Sequence, residues 1–441
     1  QLLLFFFPIL LGTFFQQLYN TIDSVIVGQF VGKEALAAVG GSSAQIVAFV
    51  VGFFTGLSSG ASVTIAQFFG AKDSRSANKG LHTAYAIAAF GGLILTVSGI
   101  ILTPFLLEMM NTPADIVADS AVYLRIYFAG IIFVLIYNMG SAILRATGDS
   151  KRPLYYLIVC CIINIVLDVL FVIVFHMGVM GVAVATLIAQ AVSAVLVTLK
   201  LMRSEGILKL SVKQIRFHGS ILKMQLKLGL PTGFEAILFS ITNIAIQSAV
   251  NTFGTDTTAA WSAYGKLDAI FWMVSTAFGI AITTFVGQNY GAGKMDRVRK
   301  STRVCLLMDF IVSAVLVVFL IAARFLLFRL FTNDSHVIEI GCDMLVLITP
   351  WYIVYVFIEV IAGALRGVGN VVVPVAITLL GVCVLRIAWL AAMLKISPTI
   401  SAIILSYPVT WVITALAFII YYIYITHKTI AGSSKKHVPK L

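Results

Sequence analysis

The chain has 441 residues, 60% of them hydrophobic and only 11% charged, with a mean hydropathy of +1.03. No soluble domain of this size has an interior for so much apolar surface, so the class is polytopic membrane protein. The net charge of +12 does not mark a nucleic-acid-binding protein, because the basic residues are concentrated in alternate loops.

Twelve segments are apolar over the roughly 20 residues needed to cross a bilayer. They run 2–28, 37–66, 81–106, 116–144, 153–175, 179–202, 228–253, 258–286, 304–328, 338–365, 371–394 and 399–426. Of the 30 Lys and Arg, 23 fall in the loops at 70–80, 145–152, 200–227 and 291–303, at Arg366, and in the tail from His427. Six others lie at or near the opposite segment ends. That bias places the even-numbered connections and both termini in the cytoplasm. Gln1 already lies inside the first apolar run, so a native lead is expected before it, and nothing there resembles a cleaved signal peptide.

The first segment holds FFQQLYNTIDSVIVG. On a helix, Gln16, Asn20 and Asp23 form one polar stripe, with Tyr19 one turn before Asp23. A carboxylate there costs on the order of 2.5–3.5 kcal/mol even on insertion scales, so it is expected to serve a function. Pro8, four turns earlier, is a hinge candidate, because it frees a backbone carbonyl, or else it occupies a first helical turn. In the fifth segment Asn164 and Asp168 are four apart and share a face, and Thr186 adds an oxygen from the sixth. These hard oxygens suit Na⁺, or a proton held on one carboxyl, since two nearby carboxylates in low dielectric do not both stay ionised. Interhelical hydrogen bonding is the plainer account, above all for Asn164 and Thr186.

The 203–227 linker is basic and reads as an amphipathic surface helix or a solvated tether. Beyond it, Glu235 and Glu359 are buried acids, each a candidate proton site, cationic-substrate contact or partner of the mid-segment Arg386. Lys266 and Asp268 are expected at the water-exposed outer end, and Asp309 and Asp343 are expected to snorkel or cap near segment ends. The cysteines at 160, 161, 305, 342 and 383 lack metal spacing and read as packing residues.

The chain repeats itself. SAILRATGDSKRP (141–153) returns as AGALRGVGNVVVP (362–374), and IAQFFGA (65–71) as VGQNYGA (286–292), both at a shift of 221. Pro8 and Pro231 begin the copies. The expected domains are a first lobe at 1–202, the linker at 203–227, a second lobe at 228–426 and a cytoplasmic tail at 427–441. The lobes are related by an axis along the membrane normal, with substrate between them. The repeat is also a control: Asp168 and Asn164 fall opposite Trp389 and Leu385, and Asp23 opposite an apolar residue in 244–246. A cluster needed only for folding would recur, so this one has a role peculiar to the first lobe. The repeated LRxxG[DN]xxxP reads as a helix stop followed by a start.

There is no HExxH, GxSxG, Walker A or Cys/His metal array, so the chain is not an enzyme and an ion gradient must drive any transport. FFFPILLGTFFQQLYNTIDSVIVGQFVG, NIVLDVLF with GVAVAT, VGQNYGA and GALRGVGN together resemble the MATE (multidrug and toxic compound extrusion) transporters, in particular their DinF-like and related bacterial branches. The resemblance implies an all-α membrane protein with twelve transmembrane helices in two pseudo-symmetric six-helix lobes. It further implies export of organic cations and drugs across the bacterial plasma membrane against H⁺ or Na⁺. Asp23 would then hold the ion, with Tyr19, Asn164, Asp168 and Thr186 as its neighbours. No cofactor beyond that ion is expected, and the protein is expected to act as a monomer. Glu235 and Glu359 stand about a turn away from the acids of the NorM-like branch. The alternative is a flippase for a lipid-linked saccharide or another amphipathic substrate. Such a flippase would need several cationic residues at mid-membrane, and Arg386 stands alone there.

Overall fold

The computed structural model describes residues 2–432; Gln1 and positions 433–441 of the expected tail lie outside the described residues. Twelve helical spans are present. They are α1 (Leu2–Phe30), α2 (Lys33–Gly70), α3 (Ser74–Met109), α4 (Val117–Ala146), α5 (Lys151–Val174) and α6 (Gly178–Met202), then α7 (Gly219–Asn251), α8 (Thr255–Gly291), α9 (Met295–Ala322), α10 (Ser335–Gly367), α11 (Val372–Ile396) and α12 (Ile400–Thr426). No strand occurs among the described residues. The chain is an all-α membrane protein, as its hydropathy implies.

Several helices outrun their apolar segments, because polar caps and loop contacts extend them past the hydrocarbon. α3 begins seven residues before its segment, where the Ser76 N–H donates to Asp73 Oδ1 at 3.0 Å and caps the first turn. Three spans are broken, α12 among them, at Leu405. α2 is interrupted at Gly41, and α10 tightens into a 3₁₀ turn at Thr349–Trp351 around Pro350, which has no N–H to continue the ladder. α5 and α11 each contain a π-helical turn, at Val169–Val174 and Leu379–Val384.

The chain forms two compact units, Leu3–Phe234 and the part from Glu235 onward, so the boundary falls within α7. In the first unit α4 is central, packed on α2, α3 and α6. In the second, α8 and α10 hold the middle, with α9 and α12 against them. The aromatic core there includes Phe271, Tyr352, Trp411 and Phe418, all at 1% exposure or less.

The duplicated motifs are duplicated turns. Gly148 and Gly369 are both left-handed, with φ 99° and 87°. Each closes its helix with the same pair of bonds, Gly148 N–H to Arg145 O and Asp149 N–H to Leu144 O, then Gly369 N–H to Arg366 O and Asn370 N–H to Leu365 O. At the other repeat the left-handed residue is Lys72 (φ 58°) in the first copy and Gly293 (φ 70°) in the second.

The 203–218 stretch is neither a surface helix nor a free tether. It carries two short 3₁₀ turns, and α7 starts at Gly219. It is pinned along α3: Asn78 Nδ2 donates to the carbonyls of Ile207 and Lys209, both at 3.1 Å, and the Ser211 N–H donates to His82 Nε2 at 3.0 Å. The His218 N–H donates to Thr83 Oγ1 at 3.3 Å. Loop carbonyls and amides thus find side-chain partners on α3, which a free tether would leave to water.

The first half of α7 crosses α2 glycine on glycine. A Cβ on Gly56 would stand 2.4 Å from the Gly233 nitrogen, and one on Gly60 2.4 Å from Gln225 O. A Cβ on Gly229 would stand 2.8 Å from Leu57 O, and one on Gly233 2.8 Å from Phe53. Two GxxxG spacings face one another, so the backbones touch.

Candidate ion-binding site

Three helices of the first unit bring oxygen-bearing side chains together. The buried face of α1 carries Tyr19, Asp23, Ile26 and Val27. α5 supplies Asn164 and Asp168, at 1% and 0% exposure, just before its π turn. The extra residue of a π turn changes the angle at which following side chains leave the helix, and such turns recur at functional sites. α6 supplies Thr186 and, one turn later, Gln190.

The contacts are few and long. Thr186 Oγ1 donates to Asp23 Oδ2 at 3.4 Å, Asn164 Nδ2 donates to Thr186 Oγ1 at 3.4 Å, and Gln190 Nε2 donates to the Tyr19 hydroxyl at 3.3 Å. The Asp23 and Asp168 carboxyls face each other within hydrogen-bonding reach. Tyr123 of α4, stacked on Tyr127, lies within electrostatic range of both acids. Four buried oxygens have no protein donor: Asp23 Oδ1, Asn164 Oδ1 and both oxygens of Asp168. Buried acceptors without donors are costly. Protons shared between the carboxyls, or a small hard cation among the oxygens, would satisfy them.

The structure therefore groups Tyr19, Asp23, Asn164, Asp168 and Thr186. Gln16 and Asn20 are not in the group. The buried face of α1 is centred between Tyr19 and Asp23, and Gln16 and Asn20, on the outer flank of the stripe, are exposed. Gln190 escaped the sequence reading, although its spacing of four from Thr186 in TLIAQ was a usable signal. Pro8 lies buried inside α1, past its first turn.

In the second unit Glu359 pairs with Arg366, two turns on along α10, at 2.9 Å, and not with Arg386. Its carboxylate occupies space that only glycine leaves free, since a Cβ on Gly279 would meet Glu359 Oε1. Arg366 is therefore more than a helix stop. Glu235 on α7 lies in the field of this pair and beside Thr378 of α11. Arg386 is 3% exposed, stacks 4.0 Å over the Tyr407 ring and donates to Thr410 Oγ1 at 2.9 Å. Asp309 does not snorkel: it is fully buried halfway along α9, bonded by Ser313, with Oδ2 unpartnered. Asp343 and Lys266 are exposed, but Asp268 is held by Tyr264, Tyr352 and Trp272. All five cysteines are buried and free.

The family model described as MatE matches residues 8–170 and again 231–390, one match in each half of the repeat. The chain belongs to the MATE family. This MATE protein is thus a transporter and not an enzyme. It is 30% identical over 387 residues to the probable multidrug resistance protein YoeA of Bacillus subtilis (strain 168), covering 86% of this chain and 83% of that one. It is 28% identical over 392 residues to the probable multidrug resistance protein NorM of Thermotoga maritima, covering 86% and 82%. Among solved structures, a MATE crystallised in the bent conformation superposes with a TM-score of 0.92 at 20% identity, over 98% of this chain and 96% of that one. An outward-facing multidrug resistance MATE transporter of the MOP superfamily gives 0.90 at 21%, over 99% and 96%. At that identity the MATE structures speak for the fold, which has twelve apolar spans among this chain's described residues.

Proposed function

We propose that the protein is a secondary active antiporter that exports amphipathic organic cations and drugs by alternating access. The driving ion, H⁺ or Na⁺, enters through Asp23 and Asp168. The observation that carries this reading is the set of four unpartnered oxygens between α1 and α5, which favour a bound proton or hard cation. The names of the curated relatives, multidrug resistance proteins, support drugs as the substrate class. Asn164, Thr186 and Tyr19 orient the carboxyls, and Pro8 lets α1 bend when the ion binds or leaves. The transporter sits in the bacterial plasma membrane with both termini cytoplasmic, the orientation that the loop charges favour, and it works as a monomer.

Drug-driven counterflow in proteoliposomes, with H⁺ and Na⁺ gradients imposed in turn, tests the coupling. Asp23→Asn is expected to abolish exchange at near-normal expression. Full exchange in that variant would remove Asp23 from the mechanism. Lipid flipping with no drug transport would replace the exporter by a flippase.

A further inference from the structure

Asp268 lies one turn beyond Tyr264 and one turn before Trp272, so the three share a face of α8. Tyr352, at the 3₁₀ break of α10, meets that face. Trp272 Nε1 donates to Asp268 Oδ2 at 2.7 Å. The other carboxyl oxygen enters a ring of three. Tyr352 Oη makes a short hydrogen bond to Asp268 Oδ1, Tyr264 Oη lies 3.2 Å from the same oxygen, and the two phenol oxygens are 2.9 Å apart. Both tyrosines are buried, at 0% and 3% exposure, and Phe271 stacks on Tyr352 at 3.9 Å between centroids.

Counting hydrogens decides what this ring is. Three oxygens make three contacts, and the two phenols bring two hydrogens. If Asp268 is a carboxylate, two hydrogens serve three contacts, so the Tyr264 hydrogen is shared between Asp268 Oδ1 and Tyr352 Oη in a weaker three-centre bond. If Oδ1 carries a hydrogen, the ring closes, each oxygen donating once and accepting once. We propose that the Asp268–Tyr264–Tyr352 ring is a proton-binding site of the second unit, occupied in this state as a neutral carboxylic acid. Nothing in it depends on what Asp23 binds.

The groups around it fit a site that can also lose the proton. The charged or titratable side chains acting on Asp268 are Tyr264 of α8, Tyr352 of α10, Arg386 of α11 and Tyr407 of α12. Asp309 of α9 acts on Glu359 instead, and Asp343 of α10 is exposed. Arg386 forms no ion pair among the described residues, and its Nε is buried without a partner. Its charge is held by the rings of Tyr407 and Trp411. When the proton passes from Oδ1 to water, both phenols donate to the carboxylate, the bond between them is lost, and Arg386 is the countercharge at hand. In the neutral state that guanidinium rests on aromatic faces.

Infrared difference spectroscopy of the purified full-length protein, acid minus alkaline, reads the carbonyl stretch of carboxylic acids directly. The expected result is one acid band that vanishes in Asp268→Asn and persists when Asp23 and Asp168 are both changed to Asn. Tyr352→Phe, which removes one ring hydrogen bond and keeps the carboxyl, should shift that band. This second variant serves if Asp268→Asn fails to fold. An acid spectrum unchanged in Asp268→Asn, or no band displaced in Tyr352→Phe, overturns the proposal. A band lost only in the Asp23 and Asp168 variants assigns the proton to the first unit alone.

Discussion

Asp268 and Asp23 show what a single residue reveals in sequence and what it hides. Both are acidic residues in apolar helices. Asp23 is conspicuous because it lies in an apolar segment on one stripe with Gln16, Tyr19 and Asn20, and its repeat counterpart is apolar. Asp268 is expected at the water-exposed outer end and is partly exposed there; what the sequence hides is Tyr352, the phenol that closes its ring, 84 positions away. Glu359 is the opposite case: its expected partner is Arg386, but its actual one, Arg366, lies seven residues on along the same helix. Gly279 makes that pair testable. Gly279→Ala would press a methyl carbon into the Glu359 carboxylate. Overpacking of that kind costs roughly 1–3 kcal/mol, so thermal unfolding in detergent should begin at lower temperature than in wild type. At Lys72, where the second copy has Gly293, Lys72→Gly should instead raise the melting temperature. Glycine adopts a positive φ without the strain of a side chain, an effect of about 1 kcal/mol.

Most elements were legible because apolar length marks a span. Their ends were not, because caps and pinned loops lie outside the hydropathy signal. The strap at 203–218 is the clearest case: its basic, half-apolar pattern fits a surface helix, but Asn78, His82 and Thr83 of α3 hold it as turns. His218, just before α7, accepts from Arg216 Nε at 3.4 Å and contacts Thr83. Partial burial, with Arg216 and Lys79 nearby, moves its imidazole below the ordinary histidine range. A base held below its unfolded pKa contributes its full stability above that value, about 6.5, and loses it as the pH falls through it toward the folded value. Mild acid should therefore loosen the strap. Protection from hydrogen exchange over 203–218, taken against the intrinsic rate at each pH, should fall below about pH 6.5, and His218→Gln should remove much of that dependence. Equal protection at neutral and acid pH would deny the strap this sensitivity. At the start of α3, Asp73→Ala should cost about 0.5–1 kcal/mol, the range of a solvent-facing N-cap.

For the molecule as a whole, the duplication told more than any motif. It predicted turns that the structure repeats bond for bond after α4 and α10. It also separated what both halves need, the LRxxG stop, from what only one half has, the Asp23 and Asp168 cluster. It did not show the crossing of α2 and α7, because the glycines at 56 and 60 and at 229 and 233 are not repeat partners of one another. Gly60→Leu is expected to lower expression and thermal stability sharply, since backbones in contact have no room for a side chain. The crossing also bears on how the chain is made. α7 is the first helix of the second half to leave the ribosome, and half of it already belongs to the first unit. Gly229 and Gly233 are therefore expected to meet Gly56 and Gly60, on a helix inserted earlier, while the remaining helices are still being synthesised. A nascent chain stalled once α7 has emerged should already resist protease across the first unit, and Gly60→Leu should expose it. In that order of events the first unit would be complete before most of the second has been synthesised.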